Sequence, residues 1–264
     1  MNKVWQERLL PQGNDDLAWE LFHENSKTRR YDASLSNEEI HARMKDLHES
    51  LPFVGYPVIK LPNSLAPLSS RLDEVISSRI SALNMDAYVF TMREVATLLH
   101  YAYGITRDNN GTSSPRPFRT VPSAGALYPL EIFFHSARIE GLNPGLYHYN
   151  ATKNNLRLIL AGDETPWISE AMVQPEVASR ASLIIFITAI FERTIFKYRD
   201  RGYRFVMLEA GHVAQNITLV AHAMGLGCLN IGGYFDREID DFLDFDGITQ
   251  STVYMGALGK AIKG

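Results

Sequence analysis

A lysine–tyrosine pair, Lys197-Tyr198, lies in a strongly basic stretch of this 264-residue chain, which we expect to form a charged turn that leads into a buried helix. Five cations fall within twelve residues there: Arg193, Lys197, Arg199, Arg201 and Arg204. Neighbouring positive charge disfavours a protonated ammonium. We therefore expect Lys197 to work as a general base near neutral pH, with Tyr198 orienting a substrate or relaying a proton. The alternative is that both residues lie on a solvated basic turn.

The segment 121–130 (V-P-S-A-G-A-L-Y-P-L) is a second candidate, with the composition of a loop that contacts a flat ligand. Its small residues let the backbone approach a ring closely, and the Ser123 hydroxyl can donate a hydrogen bond. The alternative is a tight loop that simply enters a strand.

The segment 77–81 (S-S-R-I-S) could bind a phosphate, because Arg79 supplies a guanidinium and Ser78 and Ser81 supply hydroxyl donors. The alternative is a solvated helix start.

The glycine-rich segment 225–233 (G-L-G-C-L-N-I-G-G) does not have the G-x-G-x-x-G spacing of a dinucleotide-binding turn. Gly225 is expected to end a helix. Gly232-Gly233 forms either a tight turn or a loop pressed against a ligand ring.

Several other classes of site are not supported by the pattern. The eight histidines show no H-x-x-x-H or H-x-H spacing, so no metal site is predicted. Cys228 lies in an apolar run, which should leave its thiol inert, and G-x-S-x-G is absent. Glu209, His212 and Asn216 share a helix face that we interpret as a polar seam. The net charge of −4 and the local extent of the basic run argue against nucleic-acid binding.

The chain carries no pattern typical of membrane insertion or secretion. Its longest apolar runs are far shorter than the roughly 20 residues that a bilayer requires. The first residues lack an apolar signal region, and a single cysteine fits a reducing compartment. A cytoplasmic protein without membrane contact is therefore expected.

The elements that must position these residues begin with a polar, helical segment. A helix is expected at 16–24, and Ser36 with Glu39 forms a capping box for a second. Four prolines at 52, 57, 62 and 67 then predict an extended strap. We divide the chain into a helical extension with this strap, 1–65, and a main domain, 66–264.

A capping box at Thr91 and Glu94 opens the next helix, which should end at Gly104 as a C-terminal glycine. The segment 105–122 that follows is expected to be a long loop. Strands are predicted at 130–136, 145–149, 156–160, 182–190, 228–231 and 253–258. A long buried helix from about residue 205 and a short one at 236–242, capped by Asp236, complete an α+β fold around one sheet.

The motifs together resemble the SagB-type branch of the FMN-dependent nitroreductase superfamily over roughly residues 70–260. The matching stretches are P-S-A-G-A-L-Y-P at 122–129, F-E-R-T-I-F-K-Y-R-D-R-G-Y-R at 191–204 and L-E-A-G-H-V-A-Q-N at 208–216. The hairpin sequence G-L-Y-H-Y at 145–149 and A-L-G near the C-terminus fit as well.

This resemblance implies a mostly antiparallel sheet flanked by helices, in a homodimer with FMN at the subunit interface. It implies an azoline dehydrogenase that oxidises thiazoline and oxazoline rings of a ribosomally made precursor peptide, beside a cyclodehydratase in a synthetase complex. Lys197 and Tyr198 would form the catalytic base site. The residues implied in FMN binding are Arg79, Ser81, Pro122, Ser123, Gly125, Leu127, Gly232, Gly233 and Lys260. Leu83 departs from the family pattern, which commonly has a basic residue there.

Two other functions remain open at this level. The first is an NAD(P)H-dependent reductase of nitro compounds or quinones, the general activity of the superfamily. The second is a scaffold that binds peptide without flavin, to which only Leu83 points. A yellow flavin colour in the purified protein would dismiss the scaffold.

Overall fold

The computed structural model describes residues 18–30, 35–111 and 116–262. In these ranges the α-helices are α1 Ala18–Asn25, α2 Asn37–Asp46, α3 Leu72–Ser78, α4 Met92–Tyr103, α5 Thr165–Glu170, α6 Pro175–Arg180, α7 Glu192–Tyr198, α8 Asp200–Ala223 and α9 Asp236–Phe242. The strands are β1 Val58–Lys60, β2 Met85–Asp86, β3 Ile105–Arg107, β4 Phe118–Arg119, β5 Leu130–Ser136, β6 Gly145–Asn150, β7 Asn155–Ala161, β8 Leu183–Ile190, β9 Gly227–Ile231 and β10 Gln250–Ala261.

One antiparallel sheet forms the centre of the molecule. Its strand order is β1-β7-β6-β5-β8-β10-β2, and β9 pairs with β10. Strand β8 lies between β5 and β10 and is buried along nearly its whole length. Its continuous apolar sequence indicates such a central strand, because both of its faces are covered. The prediction of an α+β fold with a mostly antiparallel sheet is confirmed.

Alternate side chains of β8 enter two different cores. Ile185 and Ile187 pack with residues of α4 and α8 on one face, whereas Ile184 and Phe186 pack with residues of α5, α6 and α9 on the other. This period of two follows from the pleat of a strand. The sheet therefore holds α8 against one face, and α7, which contains Lys197 and Tyr198, directly precedes the N-terminal end of α8.

The basic stretch is helical, and the prediction of a charged turn is wrong. Helix α7 covers its first half, a break follows at Arg199, and α8 begins at once and covers the rest. The long helix therefore starts five residues earlier than expected. Its apolar stripe is nevertheless confirmed, since Val206, Ala210 and Val213 are buried at helical spacing.

Other boundaries follow the predictions, with exceptions of local origin. Both capping boxes are present, at the starts of α2 and α4. Gly104 ends α4 with φ of −71° instead of a left-handed angle. Glycine is needed there because a Cβ would lie 2.5 Å from the carbonyl oxygen of His100. In the short helix α9 the N-cap position is Phe235, which makes no side-chain capping hydrogen bond, and the predicted cap Asp236 is the first helical residue.

Two segments predicted to lack regular structure contain strands, and one segment considered as a helix start is a helix end. The segment 105–122 includes strands β3 and β4, which pair with each other; residues 112–115 lie outside the described ranges. The proline-rich strap supplies β1, which joins the sheet beside β7. The helix start considered at 77–81 is instead the end of α3.

Of the predicted helix at 16–24, residues 18–24 lie in α1, and the start lies outside the described ranges. Among the helices that the structure describes, none combines the length and apolar character needed to cross a bilayer.

Candidate active site

Lys197 and Tyr198 converge on Gly125, a residue 72 positions away in the sequence. A Cβ added to Gly125 would lie 2.8 Å from Lys197 Nζ and 2.8 Å from the Tyr198 hydroxyl oxygen. The ammonium also lies 5.1 Å from the centre of the Tyr198 ring. Both side chains are half-buried. The fold thus brings the Lys197 amine and the Tyr198 phenol close to the exposed backbone of Gly125. A ligand bound on the 122–127 loop would contact both groups.

The break between α7 and α8 directly follows Lys197 and Tyr198 and fixes their position. Arg199 has φ of 49°, a left-handed angle that an arginine adopts only when its surroundings enforce it. A Cβ on Gly202 would lie 3.0 Å from the Cα of Ile195, so glycine at this position lets α8 fold back closely against α7. The pair is therefore held at the end of a short helix by close packing.

A buried ion pair anchors the beginning of α7. The Arg193 guanidinium lies 2.7 Å from one oxygen of Glu131, and His148 Nε2 lies 2.6 Å from the other. The Ser50 hydroxyl and the Leu51 N–H also donate to this carboxylate. Burial alone would raise the pKa of Glu131, but Arg193 and His148 lower it to about 2. An ionised carboxylate therefore ties α7 to β5, β6 and the strap.

Two further arginines of the basic stretch, Arg201 and Arg204, contact other parts of the chain. Arg201 Nε donates to the carbonyl of Ser26 at 3.2 Å, and Arg204 Nη2 donates to the carbonyl of His23 at 2.6 Å. These bonds attach the N-terminal helix α1 to α8. That the charges of these arginines influence the charge of Lys197 stays a prediction.

The 122–127 loop has a strained backbone. Gly125, Ala126 and Tyr128 have φ of 64°, 53° and 48°, in the left-handed region. Ser123 precedes a single 3-10 turn, and its hydroxyl accepts the Tyr128 N–H at 2.9 Å. Pro122 and Gly125 are exposed. The loop therefore presents backbone to solvent beside the lysine–tyrosine pair.

Leu127 fixes the underside of this loop. Its side chain is fully buried against Ile40 and Met44 of α2. Arg116, itself buried, donates to the Leu127 carbonyl at 2.6 Å and to the Leu47 carbonyl at 3.0 Å. Leu127 thus supports the loop from inside, and the N-terminal extension is part of that support.

A buried carboxyl group lies behind the loop. Glu209 of α8 accepts a hydrogen bond from the Tyr103 hydroxyl at 2.7 Å. Burial raises the pKa of Glu209 to about 7, although the nearby Ser123 hydroxyl, the Tyr103 hydrogen bond and the charge of Arg119 act to lower it. The Arg119 guanidinium stacks on the Tyr103 ring, 4.3 Å from its centre.

Arg79, Ser81 and Lys260 form a second group at the other end of α8. Arg79 follows α3 directly, and Ser81 forms an isolated bridge with Cys228. Lys260 Nζ donates to the carbonyl of Gly225, two residues past the end of α8. All three side chains are exposed or half-buried.

Gly232 and Gly233 directly follow the C-terminal end of β9, whereas the second group lies near the N-terminal end of that strand. The Gly233 carbonyl accepts the Val173 N–H, and a Cβ on Gly232 would meet nothing within 4 Å. Strand β9 begins at Gly227 and ends one residue before Gly232, so these two glycines lie about 16 Å apart.

Helix α8 separates the two groups within one chain. Its 24 residues correspond to about 36 Å. Lys197, Tyr198 and Gly125 lie near its beginning, and Lys260 lies near its end. One chain therefore does not bring all the predicted residues to one place.

An open groove of about 780 Å³ borders α7 on the side of Ile195 and Phe196. Phe191 and Tyr203 stack in its wall with ring centres 5.4 Å apart, and Phe22 packs edge-on against Tyr203. The groove offers apolar surface within two residues of Lys197.

Sequence reasoning missed three buried polar residues that position the site: Arg116, Glu131, and Arg193 as an ion-pair partner. It placed Glu209 only in a polar seam. A stronger signal was present for the two carboxylates. Glu131 is a charged residue inside the apolar run of β5, and Glu209 interrupts the apolar stripe of α8. A carboxylate in such a position is buried only with partners.

Comparison with known proteins identifies relatives by sequence. Residues 86–260 match the Nitroreductase family. A protein of Methanocaldococcus jannaschii named as a nitroreductase, MJ1384, is 36% identical over 173 residues, which are 66% of this chain and 84% of that protein. The microcin B17-processing protein McbC of Escherichia coli is 33% identical over 52% of this chain and 53% of McbC. The trifolitoxin-processing protein TfxB of Rhizobium leguminosarum is 31% identical over 60% of this chain and 44% of TfxB. The chain thus spans about half the length of the two processing proteins.

Solved structures share the fold. A nitroreductase from Anabaena variabilis superposes with a TM-score of 0.75 at 23% identity, over 97% of this chain and 50% of that chain. The Escherichia coli microcin synthetase McbBCD complex, with truncated pro-MccB17 bound, superposes with a TM-score of 0.58 at 22% identity, over 93% of this chain and 92% of that chain. A nitroreductase from Desulfovibrio desulfuricans in complex with FMN superposes with a TM-score of 0.51 at 17% identity, over 74% of this chain and 88% of that chain.

Proposed function

The chain belongs to the nitroreductase family, and we propose that it is an FMN-dependent dehydrogenase that oxidises azoline rings in a precursor peptide. The observation that carries this proposal is the convergence of Lys197 Nζ and the Tyr198 hydroxyl on Gly125. A reductase that only transfers hydride from a nicotinamide to a nitro group does not require such a base. Similarity to McbC and TfxB, which are named as processing proteins of microcin B17 and of trifolitoxin, supports a substrate of the same class.

The residues of the second group fit a phosphate-bearing cofactor. The Arg79 guanidinium makes no hydrogen bond or ion pair with the described part of the chain. Lys260 uses one of its three ammonium hydrogens for Gly225. With the exposed Ser81 hydroxyl, these two cations can bind the phosphate of FMN. Leu83, 67% exposed, contributes no charge there.

The flavin ring would lie where Gly232 and Gly233 offer open backbone, along β9 from the phosphate. The loop of Pro122, Ser123 and Gly125, supported by Leu127, would cover the ring from the partner chain. This arrangement accounts for the separation of the two groups by α8 and makes the enzyme a homodimer with two sites at the interface.

When bound, FMN supplies the acceptor for the hydride that the azoline ring loses. Lys197 removes the proton that must leave the neighbouring ring carbon, and Tyr198 holds its amine against Gly125 and orients the substrate. The half-buried position of both side chains limits access of water to the amine. Two hydrogens leave the ring in total, and a thiazole or oxazole results.

The direct test uses the protein with a cyclodehydratase and a precursor peptide, the partners that the proposal requires. We expect each azoline to lose the mass of two hydrogen atoms, and we expect Lys197→Ala to abolish this loss while FMN remains bound. Full activity in Lys197→Ala would show that the base is assigned wrongly.

Complementation tests the shared site. Lys197→Ala and Arg79→Glu damage opposite groups, so a heterodimer of the two variants contains one intact site and one doubly damaged site. Random mixing should restore about a quarter of wild-type activity, because about half of the dimers are mixed. A site within a single chain would give no restoration.

A second candidate, an NAD(P)H-dependent reductase of nitro compounds or quinones, is favoured by the similarity to MJ1384 over most of that protein's length. Anaerobic mixing with NADPH distinguishes the two functions. Rapid bleaching of the bound flavin supports the reductase, whereas slow bleaching with rapid reduction by an azoline peptide supports the dehydrogenase.

A further inference from the structure

We propose that His222 is a further phosphate-binding residue of this protein and that it takes up a proton when FMN binds. The inference rests on the proposed function, because it concerns the group of Arg79, Ser81 and Lys260 that would hold the FMN phosphate. His222 belongs to the last turn of α8, is half-buried, and has no part in the reaction described above.

Contacts on two sides connect His222 with the two cations of this group. Its Nε2 lies 2.9 Å from the hydroxyl oxygen of Ser78, the residue directly before Arg79. Its carbonyl accepts the Gly225 N–H at 2.9 Å, and the Gly225 carbonyl accepts a hydrogen bond from Lys260 Nζ at 3.1 Å. The histidine is therefore linked to each cation through a single intervening residue.

The number of available protons fixes the role of each ring nitrogen. The Ser78 hydroxyl has one proton, which it donates to the carbonyl of Glu74, one turn earlier in α3. The Ser78 oxygen can then only accept from the ring, so Nε2 of His222 carries a hydrogen. Nδ1 makes no hydrogen bond within the part of the chain that the structure describes. A neutral ring thus presents Nδ1 as a bare acceptor, which repels a phosphate, whereas a protonated ring presents a charged donor.

The position at the end of α8 calls for a further cation. The C-terminal end of a helix carries partial negative charge, which disfavours a phosphate and favours a protonated histidine. Around this point, α3 and the residue after it supply Glu74 and Arg79, and the paired strands β2 and β10 supply Asp86 and Lys260. The two carboxylates balance the two cations, so a protonated His222 gives the group its net positive charge.

Calorimetric titration of the flavin-free protein with FMN tests the proton uptake. At pH 7.5, where free histidine is mostly neutral, titrations in buffers of different ionisation enthalpy count the protons that binding takes up. We expect the wild type to take up roughly half a proton or more beyond the uptake of His222→Gln. The control is His212→Gln, which removes an exposed histidine about 15 Å earlier on the same helix and should behave as the wild type. Equal proton uptake in the wild type and His222→Gln would overturn the proposal.

Affinities for FMN and riboflavin separate binding of the phosphate from support of the fold, because riboflavin has the same ring system and no phosphate. We expect His222→Gln to weaken FMN binding about tenfold, the effect of losing one charged hydrogen bond. Riboflavin binding should stay unchanged, since the glutamine amide still donates to Ser78. Equal weakening for both flavins would mean that His222 only supports the packing of α3 on α8, and the proposal would fail.

Inorganic phosphate distinguishes a failure of this inference from a failure of the proposed function. In NMR spectra of the flavin-free protein, the ring signals of His222 are assigned by their loss in His222→Gln. We expect phosphate to move these signals towards those of a protonated imidazole and to leave those of His212 in place. A protein that shows this response and binds no flavin would contradict the proposed function and support the phosphate site. A His222 ring that responds neither to phosphate nor to FMN would refute the inference.

Discussion

Replacement of Gly125 by alanine tests the central contact of the site. The residue has φ of 64°, and its missing Cβ is what allows Lys197 Nζ and the Tyr198 hydroxyl to approach the loop. Alanine therefore introduces two separable effects, a backbone strain that acts on stability and a steric contact that acts on the two side chains.

The size of each effect follows from the geometry. A left-handed alanine costs about 1–2 kcal/mol of stability. The new Cβ would lie 2.8 Å from both polar atoms, and ordinary contact begins at 3.4 Å, so each atom must retreat by about 0.6 Å. Because a displacement of about 1 Å in a catalytic group can cost about 100-fold in rate, we expect kcat to fall roughly ten- to a hundredfold.

Gly141→Ala is the matched control. Gly141 has φ of 72° and a Cβ there would meet nothing within 4 Å, so it reproduces the strain without the contact. We expect both variants to lose similar stability in urea unfolding. Only Gly125→Ala should lose kcat in the azoline oxidation assay, with FMN content measured in parallel.

Equal turnover in the two variants would refute the reasoning, since the approach of Lys197 and Tyr198 to the loop would then have no bearing on the reaction. A loss of FMN from Gly125→Ala, with no loss from Gly141→Ala, would instead assign the contact to cofactor binding.

Other expected outcomes concern the ion pair and the catalytic pair. Glu131→Gln should lower the free energy of unfolding by about 3–5 kcal/mol, because it leaves Arg193 buried without its counter-charge; Glu24→Gln, which breaks an exposed pair, should cause no measurable change in urea unfolding. The pKa of Glu131 is lowered from 4.5 to about 2 by folding, so its contribution is complete above about pH 5 and is lost as the pH falls towards 2. Urea titrations between pH 3 and pH 6 should therefore show a shallower pH dependence in Glu131→Gln than in the wild type. Tyr198→Phe should keep FMN and lower kcat less than Lys197→Ala, as stopped-flow measurement of flavin reduction by an azoline peptide would show.

Much of the fold could be predicted from local pattern. The run of β8 indicates a strand covered on both faces because it is apolar without alternation, and the capping boxes of α2 and α4 mark helix starts through residues three positions apart. These signals depend on neighbours in the chain, and a sequence displays such neighbours directly.

The failures have a different origin. The basic stretch was predicted to be a charged turn because five cations lie close together in the sequence. Arg193 is instead buried, and its partner Glu131 lies 62 positions earlier in another strand. No local pattern predicts that pairing, and a single buried counter-charge is enough to allow the burial of an arginine that would otherwise be exposed.

The amino-acid sequence by itself determined the chemical groups of this protein: a lysine beside a tyrosine, a loop of small residues, and cations and hydroxyls suited to a phosphate. Only the tertiary structure decided how they are distributed. Packing of the strained loop against α7 places Gly125 under Lys197 and Tyr198, and the length of α8 keeps them apart from Arg79, Ser81 and Lys260. The physical reason is that distances between residues far apart in the chain are set by packing and burial, which act on the whole molecule at once.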